Sequence, residues 1–178
     1  MATTVTSVDV SATKADANAV MSGDVTAGAG IATGQATIPL DGPGTSKVVS
    51  ITVTAPSGAS KTYTITVNRA ASSDDTLSVL TVTANAVVQP LVPDFNANIL
   101  PYTVNVANTV DQVTVAATKS DLNAVMLIGS VTVPAGTVSG QETFPLGGPG
   151  TPTVVSISVT AQSGGVPKTY TITVNRAP

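Results

Sequence analysis

The chain has 178 residues, of which 42% are hydrophobic and only 10% are charged, and its net charge is -3 at neutral pH. It contains no cysteine and no histidine, which excludes disulfides, thiolate or imidazole metal sites and histidine-based catalytic triads. The weak negative charge provides no basic face for phosphates, and no apolar run approaches the length that crosses a bilayer, so we expect neither nucleic-acid binding nor membrane insertion.

Low charge usually accompanies surfaces built from Thr, Ser, Gly and Asn, which are typical of exported β proteins. We therefore expect a secreted or cell-surface protein. The first residues, Met1 to Val5, lack the charged and apolar regions of a signal peptide. Since an exported protein needs such a signal, we expect this chain to be a mature or excised fragment.

Short runs in which apolar residues alternate with small or polar ones predict β-strands along the chain. In chain order these runs are 8–12, 49–53, 63–67, 77–82, 102–106, 113–117, 155–159 and 170–174. They are rich in β-branched residues and are separated by Gly- and Pro-containing turns, and no stretch shows a helical stripe. The pattern predicts an all-β protein built as an antiparallel β-sandwich.

An internal repeat divides the chain. Residues 13–21 recur in related form as 118–126, and residues 61–70 return unchanged as 168–177. Only the later copy is preceded by further strand-like runs. We therefore predict an incomplete repeat at 1–70 that lacks its first two strands, a linker at 71–76 and a complete repeat at 77–178.

The order and spacing of several motifs in the later copy resemble one known family. They are Leu77-x-x-Leu80-Thr81-Val82, Leu91-Val92-Pro93-Asp94-Phe95, Pro101-Tyr102-Thr103-Val104, the strand Val113-x-Val115 with Ser120-Asp121, and the closing Lys168-Thr169-Tyr170-Thr171-Ile172-Thr173-Val174. Together they look like the bacterial cadherin-like β-sandwich domain, over Leu77 to Arg176 and again over Val5 to Arg69. The resemblance implies tandem seven-stranded Ig-like sandwiches in secreted or surface-attached bacterial proteins, without assigned catalytic residues.

No set of residues suggests an enzyme. The ten carboxylates are scattered and mostly lie at strand ends or turns. A glycosidase needs two carboxyl groups that face each other across a sugar-sized cleft, usually with aromatic platforms, and the chain has no Trp. We therefore predict no catalytic and no cofactor-binding residue.

Two short motifs invite a calcium interpretation. Asp16 with Asn18, and Asp121 with Asn123, place side-chain oxygens at alternate positions, as a hard cation prefers. The same residues also form Asx-type turns at the end of a strand. We favour the turn, and calcium is the only ion that the sequence suggests.

Two further pairs of residues repeat between the copies. Tyr63 and Tyr170 keep phase with the inward Ile and Val residues, so we interpret them as core rings whose hydroxyls reach the rim of the sandwich. Arg69 and Arg176 follow the last strand of each copy, and we interpret them as solvated charges rather than as anion ligands.

The incomplete first copy is the most informative feature for function. Without two opening strands, the face that carries Val8, Val10, Ile51 and Ile65 would be partly uncovered beside an open strand edge. Three explanations compete: a boundary inside a longer tandem array, completion by another molecule through strand addition or face-to-face packing, and closure as a smaller sandwich.

Counting strands favours pairing of like with like. Each chain has one pair of opening strands, from Leu77 to Val106, but two repeats that need such a pair. Head-to-tail swapping of this pair between chains therefore cannot complete every repeat. We therefore expect self-association through residues 5–70, either between incomplete copies or by using Met1 to Val5 as part of a strand. Self-association would give oligomers or fibres, which suits a structural or adhesive spacer. The rival function is carbohydrate or protein binding through the loops 25–33 and 131–139.

Overall fold

The structure is a computed structural model that describes every residue from Met1 to Pro178. It contains fourteen β-strands and no helix, which confirms the all-β prediction. The strands fall into two units, Met1–Ala71 and Ser72–Pro178. Each unit is a sandwich of two sheets, as the alternation of apolar and polar residues predicts.

The first unit has five strands. They are β1 (Ser7–Thr13), β2 (Val20–Gly23), β3 (Thr33–Pro39), β4 (Ser46–Thr54) and β5 (Ser60–Asn68). One sheet pairs β1 with β3, and the other has the order β2-β4-β5, with antiparallel pairing throughout. The small core between them contains Met21, Val25, Ile38, Val49 and Ile51.

The second unit has nine strands. They are β6 (Leu77–Ala84), β7 (Val87–Gln89), β8 (Pro101–Val106), β9 (Gln112–Lys119), β10 (Val125–Ile128), β11 (Val131–Val133), β12 (Ser139–Pro145), β13 (Pro152–Thr160) and β14 (Lys168–Arg176). Its sheets have the orders β12-β9-β6-β7 and β11-β10-β13-β14-β8. The family resemblance implied seven strands, and the two shortest, β7 and β11, have three residues each.

One pair of strands departs from the antiparallel prediction. Strand β8 runs parallel to β14, with Tyr102 opposite Ile172 and Val104 opposite Val174. These four side chains are buried. Strand β8 therefore covers the β14 edge and contributes to the core at the same time.

The repeat makes the two units directly comparable. Strands β1 to β5 correspond to β9, β10, β12, β13 and β14, and they pair in the same way. The first unit has no counterpart of β6, β7 or β8. Strand β7 belongs with β6 because a two-residue hairpin turn, Asn85-Ala86, joins them with positive φ angles of 49° and 63°.

Of the predicted linker 71–76, residues 72–76 belong to the second unit and are hydrogen bonded within it. The Ser72 carbonyl accepts a bond from the Ser163 N–H at 2.9 Å, and the Thr76 carbonyl accepts one from the Ser120 N–H at 2.9 Å. Asp74 accepts bonds from the backbone and hydroxyl of Thr76 at 2.9 and 2.6 Å.

Candidate interaction surface

An open cleft of about 740 Å³ lies between the two sheets of the first unit. Its apolar lining includes Met21, Ile51, Val53, Tyr63 and Ile65, and both β1 and β5 contribute residues to it. Strand β1 pairs only with β3, and β5 pairs only with β4, whereas their counterparts β9 and β14 each have partners on both sides. The cleft therefore coincides with two unpaired strand edges.

The two copies of one sequence segment differ sharply in exposure. Tyr63 is 50% exposed and Ile65 is 44% exposed, whereas Tyr170 and Ile172 are fully buried. The flanking sequence is identical, so the difference comes from what packs on it. The prediction of a core ring is confirmed for Tyr170 and is wrong for Tyr63, because nothing in the first unit takes the place of β6 and β8.

The four residues predicted to form an uncovered face occupy different environments. Ile51 and Ile65 both line the cleft, although Ile51 is itself buried. Val8 and Val10 are half-buried against the small core and do not line the cleft. Tyr63, which sequence reasoning assigned to the core, also lines the cleft.

The backbone at the β5 edge is also unpaired. In the second unit the Thr171 N–H donates to the Leu100 carbonyl at 2.8 Å, so this residue directs its backbone groups toward β8. Thr171 corresponds to Thr64, and in a strand every second residue points its backbone groups to the same side. Thr64 and Thr66 therefore present free N–H and C=O groups at the open edge.

The open part of this edge ends at Asn68. The amino group of Met1 donates to the Asn68 carbonyl at 2.7 Å, and the Met1 carbonyl accepts from the Ala70 N–H at 2.8 Å. The second unit has the same contact between the Val106 carbonyl and the Ala177 N–H, at 3.0 Å. Met1 thus occupies the position of the last residue of β8, and the edge before it is uncovered.

A buried lysine stabilises the loops of each unit. Lys14 donates through Nζ to the carbonyls of Ala19 at 2.5 Å and Gly28 at 2.7 Å. Lys119 donates in the same way to the carbonyls of Ala124 and Pro134. Burial lowers the pKa of Lys119, and nearby Asp121 acts in the opposite direction.

Sequence reasoning missed these lysines, although the signal was present. Lys14 follows Val8, Val10 and Ala12 in strict alternation, so it lies on the inward face of the strand. A lysine at an inward position needs acceptors for its ammonium group. The loop carbonyls supply them, and the lysine therefore has a structural role.

The calcium candidates lie in Asx turns. Asp16 accepts a bond from the Asn18 N–H at 2.9 Å, and Asp121 accepts one from the Asn123 N–H at 2.9 Å. The preferred turn interpretation is therefore confirmed. No group of three or more acidic side chains comes together anywhere in the chain.

The two arginines are bound rather than solvated. Arg69 donates to the Thr3 carbonyl at 3.1 Å and to the Asp41 carbonyl at 2.7 Å. Arg176 makes the equivalent bonds to the carbonyls of Asn108 and Gly147, each at 2.9 Å. The interpretation as solvated charges is wrong because each guanidinium ties two loops to the end of the last strand.

The loops of the rival hypothesis are only partly available. Val25 is buried in the core at the start of loop 25–33. The predicted loop 131–139 begins as strand β11, in which Val133 is buried, so only residues 134–138 form a loop there. Ile31 is 59% exposed in the first loop, and Val138 is exposed in the second. None of the chain forms a helix of the length and hydrophobicity needed to cross a bilayer.

Comparison with known proteins gives one informative match. A family model described as "Cadherin-like beta sandwich domain" matches residues 1–70 and 77–177. A chimeric titin Z1Z2-Z1Z2 tandem carrying a GRGDS peptide from fibronectin is similar at 14% identity, covering 97% of this chain and 91% of that one, with a TM-score of 0.29. Among curated proteins, none matches the chain in sequence.

Proposed function

Because this chain belongs to the cadherin-like β-sandwich family, we propose that it serves as a non-catalytic structural and adhesive module of a secreted or surface-attached bacterial protein. Such modules act through the surfaces that they present. The low charge of the chain and its paired β-sandwich units support a role outside the cell.

The module self-associates through its incomplete first repeat. One observation carries this proposal: Tyr63 and Ile65 are about half exposed beside an unpaired strand edge, whereas the same residues in the second unit are fully buried. An exposed apolar patch next to free backbone groups is a common feature of protein interfaces. A second protein surface that packs on this patch buries the apolar side chains and pairs the free backbone groups.

The exposure of Ile31 supports the rival function, in which the loops 25–33 and 131–139 bind a carbohydrate or another protein. Binding on a glycan array that is lost when Ile31 is replaced by Ser would favour this function. The self-association proposal expects no such loss.

Sedimentation across the micromolar range tests the proposal. We expect the unaltered chain to form oligomers as its concentration rises, and Ile65→Lys to sediment as a monomer, because a charged group at the cleft opposes its burial. Val48→Lys is the matched control, since Val48 is exposed on the same unit but does not line the cleft. It should associate like the unaltered chain.

A monomer at every concentration, with the first unit shown by NMR to be folded, would contradict self-association. Equal association of Ile65→Lys and the unaltered chain would locate any interface elsewhere.

A further inference from the structure

We propose that two copies of the chain join through antiparallel pairing of their β5 edges, centred on Thr64, so that each β5 takes the place that β8 has in the second unit. The inference deepens the proposed self-association and rests on it. It specifies the partner strand, its direction and its register.

Strands β5 and β8 are chemically alike. The inward side chains of β8 are Tyr102, Val104 and Val106, and those of β5 are Tyr63, Ile65 and Val67. A second β5 therefore offers nearly the same three side chains, at the same spacing, as the strand that covers the equivalent edge. Strand β5 of a second copy therefore fits this edge.

The pairing of β8 with β14 indicates the register. In the second unit Tyr102 lies opposite Ile172, and Thr103 lies opposite Thr173. Ile172 and Thr173 correspond to Ile65 and Thr66. When two β5 strands pair with Thr64 opposite Thr64, Tyr63 of one copy lies opposite Ile65 of the other, and Thr62 lies opposite Thr66. This register therefore reproduces the Tyr–Ile pair and the Thr–Thr pair that join β8 to β14.

Direction does not prevent this substitution. Strand β8 is parallel to β14, whereas two identical strands related by a twofold axis perpendicular to their sheet are antiparallel. That axis keeps the inward faces of both strands on one side of the sheet, because alternation has a period of two. The result is one continuous sheet of order β2-β4-β5-β5-β4-β2, with a self-complementary interface.

Backbone groups and charges agree with this register. Thr64 and Thr66 provide unpaired donors and acceptors, and Met1 covers the edge from Asn68 onward, which limits pairing to 61–67. Lys61 then lies opposite Val67, so the two Lys61 ammonium groups are about 20 Å apart along the strands. Like charges therefore do not oppose each other across the interface.

The opening strands of another copy are a poorer occupant. Each chain has one such segment, and it is already packed in its own second unit, where Leu77, Tyr102 and Val104 are buried. Moving it to the first unit of a neighbour would uncover the second unit. Pairing of β5 with β5 covers the β5 edge of the first unit without this loss.

Single-cysteine variants test the pairing, since the natural chain has no cysteine. Opposite residues in antiparallel strands have Cβ atoms about 5 Å apart, within reach of a short thiol cross-linker. We expect Thr64→Cys to cross-link to itself. The control, Thr171→Cys, is the same residue in an identical segment whose edge is covered by β8. It should associate like the unaltered chain but should not cross-link.

A mixture of two variants reports direction and register. Thr62→Cys and Thr66→Cys should cross-link to each other far more than either does to itself, because identical residues at these positions are about 13 Å apart along the strands. Circular dichroism and the NMR amide signals of the first unit check that each variant is folded.

Four outcomes would overturn the inference. If the unaltered chain associates but Thr64→Cys does not cross-link, or if Thr62→Cys links to itself equally well, the interface uses another pairing and the proposed function remains. A link between Thr64→Cys and Pro101→Cys of another copy would identify the opening strands as the occupant. If the unaltered chain does not associate, the proposed function fails as well.

Discussion

Lys14 and Lys119 show how one side chain can close a loop in a small sandwich. Each lysine continues the inward alternation of its strand, and its ammonium group donates hydrogen bonds to backbone carbonyls of two loops. Buried carbonyls need a hydrogen-bond donor, and the ammonium group supplies it. The lysine therefore holds the loops against the strand that precedes them.

Replacing Lys119 should destabilise the second unit. In Lys119→Met the carbonyls of Ala124 and Pro134 lose their donor, and we expect the free energy of unfolding to fall by about 1–3 kcal/mol. A denaturant titration that follows NMR signals of the second unit measures this. Lys47→Met is the control, because Lys47 is partly exposed, and equal stability of the two variants would contradict the structural role.

Tyr170 and Tyr63 form a matched pair for a second test. The Tyr170 hydroxyl accepts from the Leu77 N–H at 3.2 Å and donates to the Ala97 carbonyl at 2.7 Å. Tyr170→Phe leaves both groups unpaired, and should lower the stability of the second unit by about 1–3 kcal/mol. Tyr63→Phe should leave the first unit unchanged, since its ring is half exposed. Equal effects in thermal unfolding would contradict this account.

The same tyrosine should make the second unit sensitive to alkali. Burial raises the pKa of Tyr170 above its ordinary value of 10.0, so the folded unit keeps the phenol proton at a pH where the unfolded chain has lost it. Stability is then complete below pH 10 and falls as the pH rises through the higher, folded value. Tyr170→Phe should show a shallower loss of stability above pH 10, and an unchanged slope would contradict the burial of the phenol.

At the scale of single residues, the alternating pattern predicted the buried environment of Tyr170 correctly. It failed for Tyr63 because alternation identifies the side of the strand on which a residue lies, but not what covers that side. It also missed the role of Arg176, whose acceptors are backbone carbonyls of distant loops. Such partners leave no pattern in the sequence.

Among the strands, the eight predicted runs correspond to β1, β4, β5, β6, β8, β9, β13 and β14. Six strands were missed, and they include β3 and β12, which have seven residues each. Strands such as β4, β5, β13 and β14 have nine residues each and a clear period of two. Strands β7 and β11 have three residues, too few to show a period. The left-handed turn at Asn85-Ala86 lacks the glycine that usually marks a hairpin, so β7 had no signal of its own.

Strand partners were harder to predict than strands. Strand β8 could be identified from its Tyr-Val-Val alternation, but its parallel pairing with β14 joins residues about 70 positions apart. Only the folded unit reveals that β8 covers this edge. The absence of its counterpart then explains why the edge and the apolar side chains of β5 are uncovered together.

For the molecule as a whole, the repeat itself indicated the first unit as the place of the candidate site, but only part of its lining. Comparing the copies showed that the first had too few strands, and the structure locates the consequence at the cleft beside β5. The predicted face was only partly brought together, because Val8 and Val10 pack on the remaining small core while Ile51 and Ile65 line the cleft. The incomplete unit thus keeps a core and leaves the edges of β1 and β5 unpaired beside the cleft.

The central claim is that a second copy covers the β5 edge, and the exchange of its backbone amides tests this most directly. In hydrogen–deuterium exchange we expect Thr64 and Thr66 to be protected at high protein concentration and to lose protection on dilution. Thr171 and Thr173, whose edge is covered by β8, should remain protected at every concentration. Rapid exchange of Thr64 and Thr66 at all concentrations in a folded first unit would contradict the claim, as would their full protection in a species that sediments as a monomer.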